Sequence, residues 1–358
     1  MNILLLGNYS GLGSTLKEGL IELGEKPILA ANGDGWKKIP GADLSLYNNS
    51  YRNIFDRFIH FGIQPRFDSR FHGYDVVQCP GSDIFLWYAG KKPFKNIFAD
   101  NDKVFFNSAG TDYFLYCAWK NKKYEYNYYM YDNNPETCWW SNGKSLASKM
   151  MNSRCKYVMH KADGIIPVVP YEYELPYKDF PNLRKPIFLP VNTDKIKYKP
   201  NVVHDGKVVI FHGINRVKDK GSDYIKEAMN IIQKRYPDDV ECIVAERMPY
   251  NDYLNAISKA NIIIDQCKSF GYGINACISL AQGKIVLSGA EKLVVENMKG
   301  ECPVINIRPD VDQIVSELEK LIMKKNDFEE LGFNSRKYVE ENHNYINIAQ
   351  QYLDEWKK

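Results

Sequence analysis

The chain opens on an unbroken apolar run, NILLL at 2–6, which stops at Gly7. So short and so apolar a run predicts a strand of a parallel sheet, buried on both faces. Behind it, STLKEGLIELG spaces Leu16, Leu20 and Leu23 as one helical face, with Gly24 placed to cap the helix end. KPILAA reads as the next strand and NGDGW as turn chemistry. A β-α-β start predicts a doubly wound sheet. DVVQC (75–79), KVFFNS (103–108) and DGIIPVVP (163–170) continue it as strands, and SLASKMMNSRCKYVMHKA reads as a helix between them.

A polar stretch with prolines, roughly 171–206, then interrupts the alternation. Beyond it the pattern restarts. KVVIFHG, VECIVA, NIIID, KIVLS and CPVINI read as strands. SDYIKEAMNIIQKRY (with Ile225, Ala228, Met229 and Ile232 on one face), YNDYLNAISKA and GINACISLAQG read as helices. DVDQIVSELEKLIMKK and YINIAQQYLDEWKK close the chain as helices, the second with a stripe of Ile346, Ala349, Tyr352, Leu353 and Trp356. The expected architecture is α/β, two tandem Rossmann-like doubly wound domains facing a cleft, divided as 1–200, 201–340 and a terminal helix at 341–358. Ligands of such sheets bind beyond the carboxyl ends of the strands.

Bulk composition narrows the class. With 358 residues, 44% hydrophobic and 25% charged, the chain fits a soluble globular protein of about two domains. A net charge of +3 is too small to indicate nucleic-acid binding. No apolar run approaches a membrane span, and the N-terminus lacks the basic start of a signal peptide. Eight scattered cysteines without zinc spacing read as reduced thiols, hence a cytoplasmic location. Residues 120–161 hold eight Lys and Arg against three Asp and Glu, interleaved with the tyrosines of YEYNYYMY and with Trp139 and Trp140. Basic and aromatic surface suits peripheral contact with the inner face of a membrane, a lipid-phosphate acceptor or sugar stacking; a folded insertion packing its aromatics explains it equally well.

Two loops carry candidate chemistry. HGINRVKDKGSDYI sets Arg216 and Lys220 between a strand ending at Gly213 and a helix starting at Gly221–Ser222. Helix N-termini favour anions, and Arg can clamp a phosphate through paired hydrogen bonds. The bland alternative is a basic surface turn with Ser222 as the helix cap. The second loop is DQCKSFGYGINACISLAQG, in which Gly271, Tyr272 and Gly273 precede a helix opening at Ile274 and Asn275. Its alternative is a tight turn with Tyr272 as a packing residue. His212 and Asp265 each end a strand, as a core histidine and a strand-end cap unless they serve the cleft. In the first half, Gly11 and Gly13 of GNYSGLG would bring backbone close to a ligand. Asp112, after NSAG, would orient an acceptor or cap a helix.

Together these loops resemble the C-terminal half of the GT-B glycosyltransferases, particularly the retaining family 4 type (glycosyl transferases group 1) of bacterial polysaccharide synthesis. The quoted stretches GINRVKDKG and GYGINACISLAQGKIVLSG carry the likeness, which extends to CPVINIRPDVDQIVSELEKLI and to NILLLGNYSGLG. It is strong over 207–356 and loose over 40–200. The resemblance implies a nucleotide-sugar co-substrate with no further cofactor and no metal, a saccharide or lipid-linked acceptor, and a final helix that crosses back to the first domain. It implies that Arg216 and Lys220 serve catalysis; Asp112, placed after a strand end, is the third catalytic candidate. It also implies that Gly213, Asn215, Arg216, Lys220, Glu246 and Gly271, Tyr272, Gly273, Ile274 and Asn275 bind the donor. Where that family usually carries two glutamates eight apart, this chain has Phe270 and Ile278.

Two other readings remain. GNYSGLG, NSAG and YCAWK (116–120) each match a short-chain dehydrogenase or epimerase motif, although NSAG and YCAWK nearly touch. A glycosyltransferase-like fold that binds without catalysing is the other, suggested by the missing glutamates.

Overall fold

The computed structural model describes residues 1–32, 39–47, 54–126, 142–214, 220–246 and 256–358. They divide into two compact units. The first runs from Met1 to Tyr124, continues through 142–190 and is completed by Tyr345–Lys358. The second holds Val191–Asn344 and the short stretch Glu125–Tyr126.

In the first unit, β1 (Ile3–Leu6), β2 (Ile28–Ala30), β3 (Val76–Cys79), β4 (Lys103–Ser108) and β5 (Gly164–Pro167) form one parallel sheet in the order β2-β1-β3-β4-β5. Successive side chains of a strand point to opposite faces. Leu4, Leu6, Val77, Cys79, Val104 and Phe106 therefore build one core, while Ile3, Leu5, Val76, Phe105 and Ile166 build a second on the other face. Both faces are dry, so the strands are mostly apolar, and the buried Gln78 and Asn107 are satisfied by each other, Gln78 Nε2 donating to Asn107 Oδ1 at 3.1 Å. The helices are α1 (Leu12–Glu22), α2 (Ile54–Phe58), α3 (Lys92–Ala99), α4 (Tyr113–Lys120) and α5 (Leu146–Lys161). The hydrophobic pattern predicted α1 and α5 but not α2, α3 or α4.

In the second unit, β6 (Val208–Ile214), β7 (Val240–Glu246), β8 (Ile262–Ile264), β9 (Ile285–Ser288) and β10 (Ile305–Asn306) form a parallel sheet in the order β10-β9-β8-β6-β7. Its helices are α6 (Ser222–Arg235), α7 (Ile274–Ala281), α8 (Lys292–Val295), α9 (Val311–Met323) and α10 (Phe328–Asn342). Ile225, Ala228, Met229 and Ile232 are buried on α6, the face the spacing predicts. α10 was not expected. The turn at NGDGW lies almost wholly outside the described residues, as does most of the helix expected at YNDYLNAISKA.

Counted from its own first strand, each sheet runs second, first, third, fourth, fifth. The strand order therefore reverses between β1 and β3, and again between β6 and β8, and ligands of doubly wound sheets bind at that reversal.

α11 (Tyr345–Trp356) belongs to the first unit and lies along α1. Its buried stripe is Tyr345, Ile348, Ala349, Tyr352, Leu353 and Trp356. Ile346, expected in that stripe, is only partly covered, because the buried face is centred on Ile348 and Ala349. The Trp356 indole N–H donates to Gln78 Oε1 at 3.0 Å, and the Asn107 amide donates to Tyr352 Oη at 2.8 Å. Among the described residues, no helix is long and apolar enough to cross a membrane.

Candidate functional site

β6 and β8 lie side by side, with Phe211 level with Ile263. The loops that follow them meet. Lys220, from the turn after β6, sends its ammonium 2.7 Å from Asp265 Oδ1, just past β8. Both residues are 4% exposed. The Lys220 amine also lies 3.5 Å from Gly213 O. Lys220, expected as a point charge for a ligand, is thus held by a carboxylate that neutralises much of it. Asn215 and Arg216, the other expected members of this turn, lie outside the described residues.

His212, in β6, is fully buried. Its Nδ1 lies 2.7 Å from Ile264 O, which only accepts, so Nδ1 carries the hydrogen. Nε2 then accepts from the Ser222 hydroxyl at 2.9 Å. Burial pushes the His212 pKa down to about 4. It is a structural histidine. Ser222 is correspondingly not the cap of α6: that position belongs to Gly221, at φ 74°. A Cβ there would lie 2.4 Å from Cys267 Sγ, so backbone angle and close approach both require glycine.

The loop after β8 is stitched down on several sides. Cys267 N donates to Lys220 O at 2.9 Å, Gly289 N to Gln266 O at 3.1 Å and Glu291 N to Phe270 O at 2.9 Å. Tyr272, expected near a ligand, points inward instead. Its hydroxyl lies 3.0 Å from both Tyr338 Oη and His343 Nε2. This is the packing alternative. Gly271 is buried, Gly273 and Ile274 are half-covered and Asn275 is exposed. Gly273 occupies the cap position of α7, with no side chain bonding to the helix end. Gly221 leaves the start of α6 without a side-chain cap as well. Glu246 ends β7, the edge strand beside β6, and is exposed.

Phe270 is buried and stacks on Tyr126, ring centroids 4.3 Å apart. The Tyr126 hydroxyl donates to Glu291 Oε1 at 2.9 Å, and Arg308 pairs with both Glu291 oxygens. The sequence reading missed this cluster. Its members come from four separate segments, and no local motif joins them.

In the first unit, GNYSGLG follows β1 at the other strand reversal. Gly11 caps α1 at φ 88°. Asn8 Oδ1 accepts from Ser14 N at 3.0 Å. A Cβ on Gly13 would lie 2.6 Å from Gly7 O, so the loop's close approach is to its own backbone. Asp112 caps α4, accepting from Phe114 N and Leu115 N at 2.9 Å each, and it accepts from the Tyr177 hydroxyl. Desolvation is the largest influence on it and raises its pKa to about 6. Its observed role is the helix cap.

No family model matches the chain, and no curated protein matches it. Solved structures do. Sucrose-phosphate synthase from Thermosynechococcus elongatus superposes with a TM-score of 0.64 at 14% identity, over 100% of this chain and 98% of that one. HepE of Anabaena, in complex with UDP and glucose, gives 0.62 at 12% identity over 100% of both chains. The fold is GT-B. UDP-GlcNAc 2-epimerase from Neisseria meningitidis, bound to UDP-GlcNAc, gives 0.51 at 12% identity over 99% of both chains. At such identities the likeness is one of fold alone. The single dinucleotide domain of the short-chain dehydrogenase reading leaves the sheet of β6 to β10 unexplained.

Proposed function

We propose that the protein is a glycosyltransferase. It moves a sugar from a nucleotide-diphosphate donor to a saccharide or lipid-linked acceptor in cell-surface polysaccharide synthesis, with retention, in the manner of the family 4 enzymes. One observation carries this reading: α6 and α7, the helices that follow the adjacent strands β6 and β8, both start on a glycine that offers no side-chain cap. Helix N-termini of this kind suit an anionic ligand at the strand reversal.

In this reading the backbone at Gly213, Gly271 and Gly273 borders the donor, and Arg216 supplies the cation for its diphosphate. Lys220, pinned by Asp265, positions the turn and adds a partly compensated charge. Developing charge on the leaving diphosphate is what such donors would stabilise. The diphosphate oxygen itself can take the acceptor proton, so the step does not require a protein base. HepE was solved with UDP and the epimerase with a UDP-sugar, which makes UDP the first nucleotide to test.

The test is the melting temperature against UDP-, GDP-, ADP- and CMP-sugars, for wild type and Arg216→Ala. A ligand at 100 times its Kd stabilises by about 2.7 kcal/mol. A shift with one nucleotide class, lost in the variant, is expected; no shift with any of them sinks the proposal. The likeness to the epimerase favours a second reading, nucleotide-sugar epimerisation. Conversion of a bound UDP-sugar to its epimer without any acceptor would establish it. Phe270 and Ile278, in place of glutamates, favour a binding protein without turnover; consumption of any donor excludes that.

A further inference from the structure

The first unit contains a cavity of about 420 Å³ between α4 and α5. Its walls are two helical stripes in the same register. α4 contributes Tyr113, Tyr116, Cys117 and Lys120. α5 contributes Lys149, Asn152, Ser153 and Lys156. Positions i, i+3, i+4 and i+7 form one face of a helix, the face that ordinarily carries apolar residues when two helices meet. Here the α4 stripe carries two tyrosines, a cysteine and a lysine, and the α5 stripe two lysines, an asparagine and a serine.

Three lysines therefore line one cavity, and no carboxylate lines it among the described residues. Like charges gathered this way repel each other, and folding gains nothing from the arrangement. The frame is nonetheless built. Lys156 Nζ sits 4.1 Å from the centre of the Tyr113 ring, a cation–π contact that holds the charge over the cavity wall. The rim is fixed by Gly143 N donating to Ser148 Oγ at 2.6 Å and by Ser145 capping α5 through Ser148 N. Gly143 lies at φ 74°, and Asn152 Nδ2 would be 3.6 Å from a Cβ placed on it.

We infer that this cavity binds a phosphate-bearing ligand, a phosphoryl or diphosphoryl group whose oxygens take Lys120, Lys149 and Lys156 and whose neighbouring ring or chain lies on Tyr113 and Tyr116. The cavity is separate from the nucleotide-sugar site proposed above, which lies in the other unit. Under the glycosyltransferase reading, the ligand is the anionic end of the acceptor; the site itself does not depend on that reading. Such a group has two sources, a soluble phosphorylated sugar or the diphosphate of a polyisoprenyl-linked saccharide.

The test is calorimetric titration of the full chain with inorganic pyrophosphate in the presence of saturating UDP, for wild type, Lys149→Gln/Lys156→Gln and a control, Lys320→Gln/Lys324→Gln, from the second unit. Hydrogen bonds to charged groups contribute enough that losing two should weaken binding by about tenfold or more. The control should bind as wild type does, and melting temperatures show whether each variant is folded. Pyrophosphate binding that is absent, or equal in all three proteins, overturns the site. Sedimentation with phosphatidylcholine vesicles, plain or carrying a polyisoprenyl diphosphate, separates the sources. Lysine-dependent binding to the diphosphate vesicles that exceeds binding of the free anion assigns the ligand to a lipid. Equal affinity assigns it to a soluble group. Equal sedimentation with plain vesicles shows general adhesion and overturns the pocket. A protein that takes pyrophosphate in this way but no nucleotide sugar would keep this site and lose the proposed function.

Discussion

Lys220 and Asp265 form a pair that only works intact. Two charges 2.7 Å apart and almost dry offset each other's desolvation, and removal of one leaves the other uncompensated. Lys220→Met should therefore cost about 3–5 kcal/mol of unfolding free energy, read from urea denaturation, and the double variant Lys220→Met/Asp265→Asn should recover much of it. Unchanged stability in the single variant would show that the pair is open to water. His212 makes a pH-dependent contribution instead. Its folded value of about 4 lies below its unfolded value, so the unfolded chain binds the proton first as pH falls. The stabilisation is complete above roughly pH 6.5 and is lost progressively down to about pH 4, about 3 kcal/mol in all. Asp112 runs the other way. Its folded value of about 6 is raised, so its contribution is present at low pH and lost as pH rises through that value. The comparison must therefore be wild type against His212→Asn, and the gap between them should close as pH falls from 7 to 4.

At the level of elements, close approach sets the constraints. A Cβ on Gly19 would lie 2.3 Å from Tyr345 O and 2.8 Å from the Ala349 Cβ, so α1 and α11 touch backbone to backbone. Alanine normally stabilises a helix interior by about 0.5–1 kcal/mol over glycine. Here Gly19→Ala should instead destabilise by about 1–3 kcal/mol, the cost of overpacking. Gly110→Ala, in open space in the loop between β4 and α4, is a control for the added methyl alone. The same contrast explains what could be read in advance. All ten strands were legible as short, largely apolar runs, most sharply where both faces are dry, although β7 at the sheet edge keeps Glu241 and Val244 exposed. α10 was not, because its buried face includes Gly332 and Ser335, and Gly332 packs so near Gly283 O that no larger residue fits. Small residues at a tight contact leave no apolar signal. α4, YFLYCAWK, failed for the opposite reason: it is short and so apolar that periodicity cannot tell helix from strand. At the site, the Gly-Tyr-Gly turn before α7 was visible as a local pattern, while most of the Arg-Lys stretch lies outside the described residues. The inward aim of Tyr272, the Asp265 partner of Lys220 and the stacking of Tyr126 on Phe270 were not, since each depends on residues far apart in the chain.

For the whole molecule, the decisive feature is that the first unit is finished by the last residues of the chain. Its second core joins Ile3, Leu5, Leu16, Leu20 and Phe105 to Ile348, Tyr352, Leu353 and Trp356 of α11. Full burial of a large apolar side chain contributes about 1.5–3 kcal/mol, so these four side chains of α11 together approach the 5–15 kcal/mol net stability of a typical domain. Their loss would also strip the partners from Gln78 and Asn107, which are buried. A chain ending at Asn344 should therefore unfold its first unit while the second, whose strands make no use of α11, stays folded. Hydrogen exchange reads the two separately. Amides of β1, β3 and β4 should lose protection in the truncated chain, and those of β6, β8 and β9 should keep it. Protection retained in β1 would mean that α11 only decorates a sheet that is stable without it. Loss of protection in both sheets would mean that the two units fold as one, so that neither half can be studied apart from the full chain.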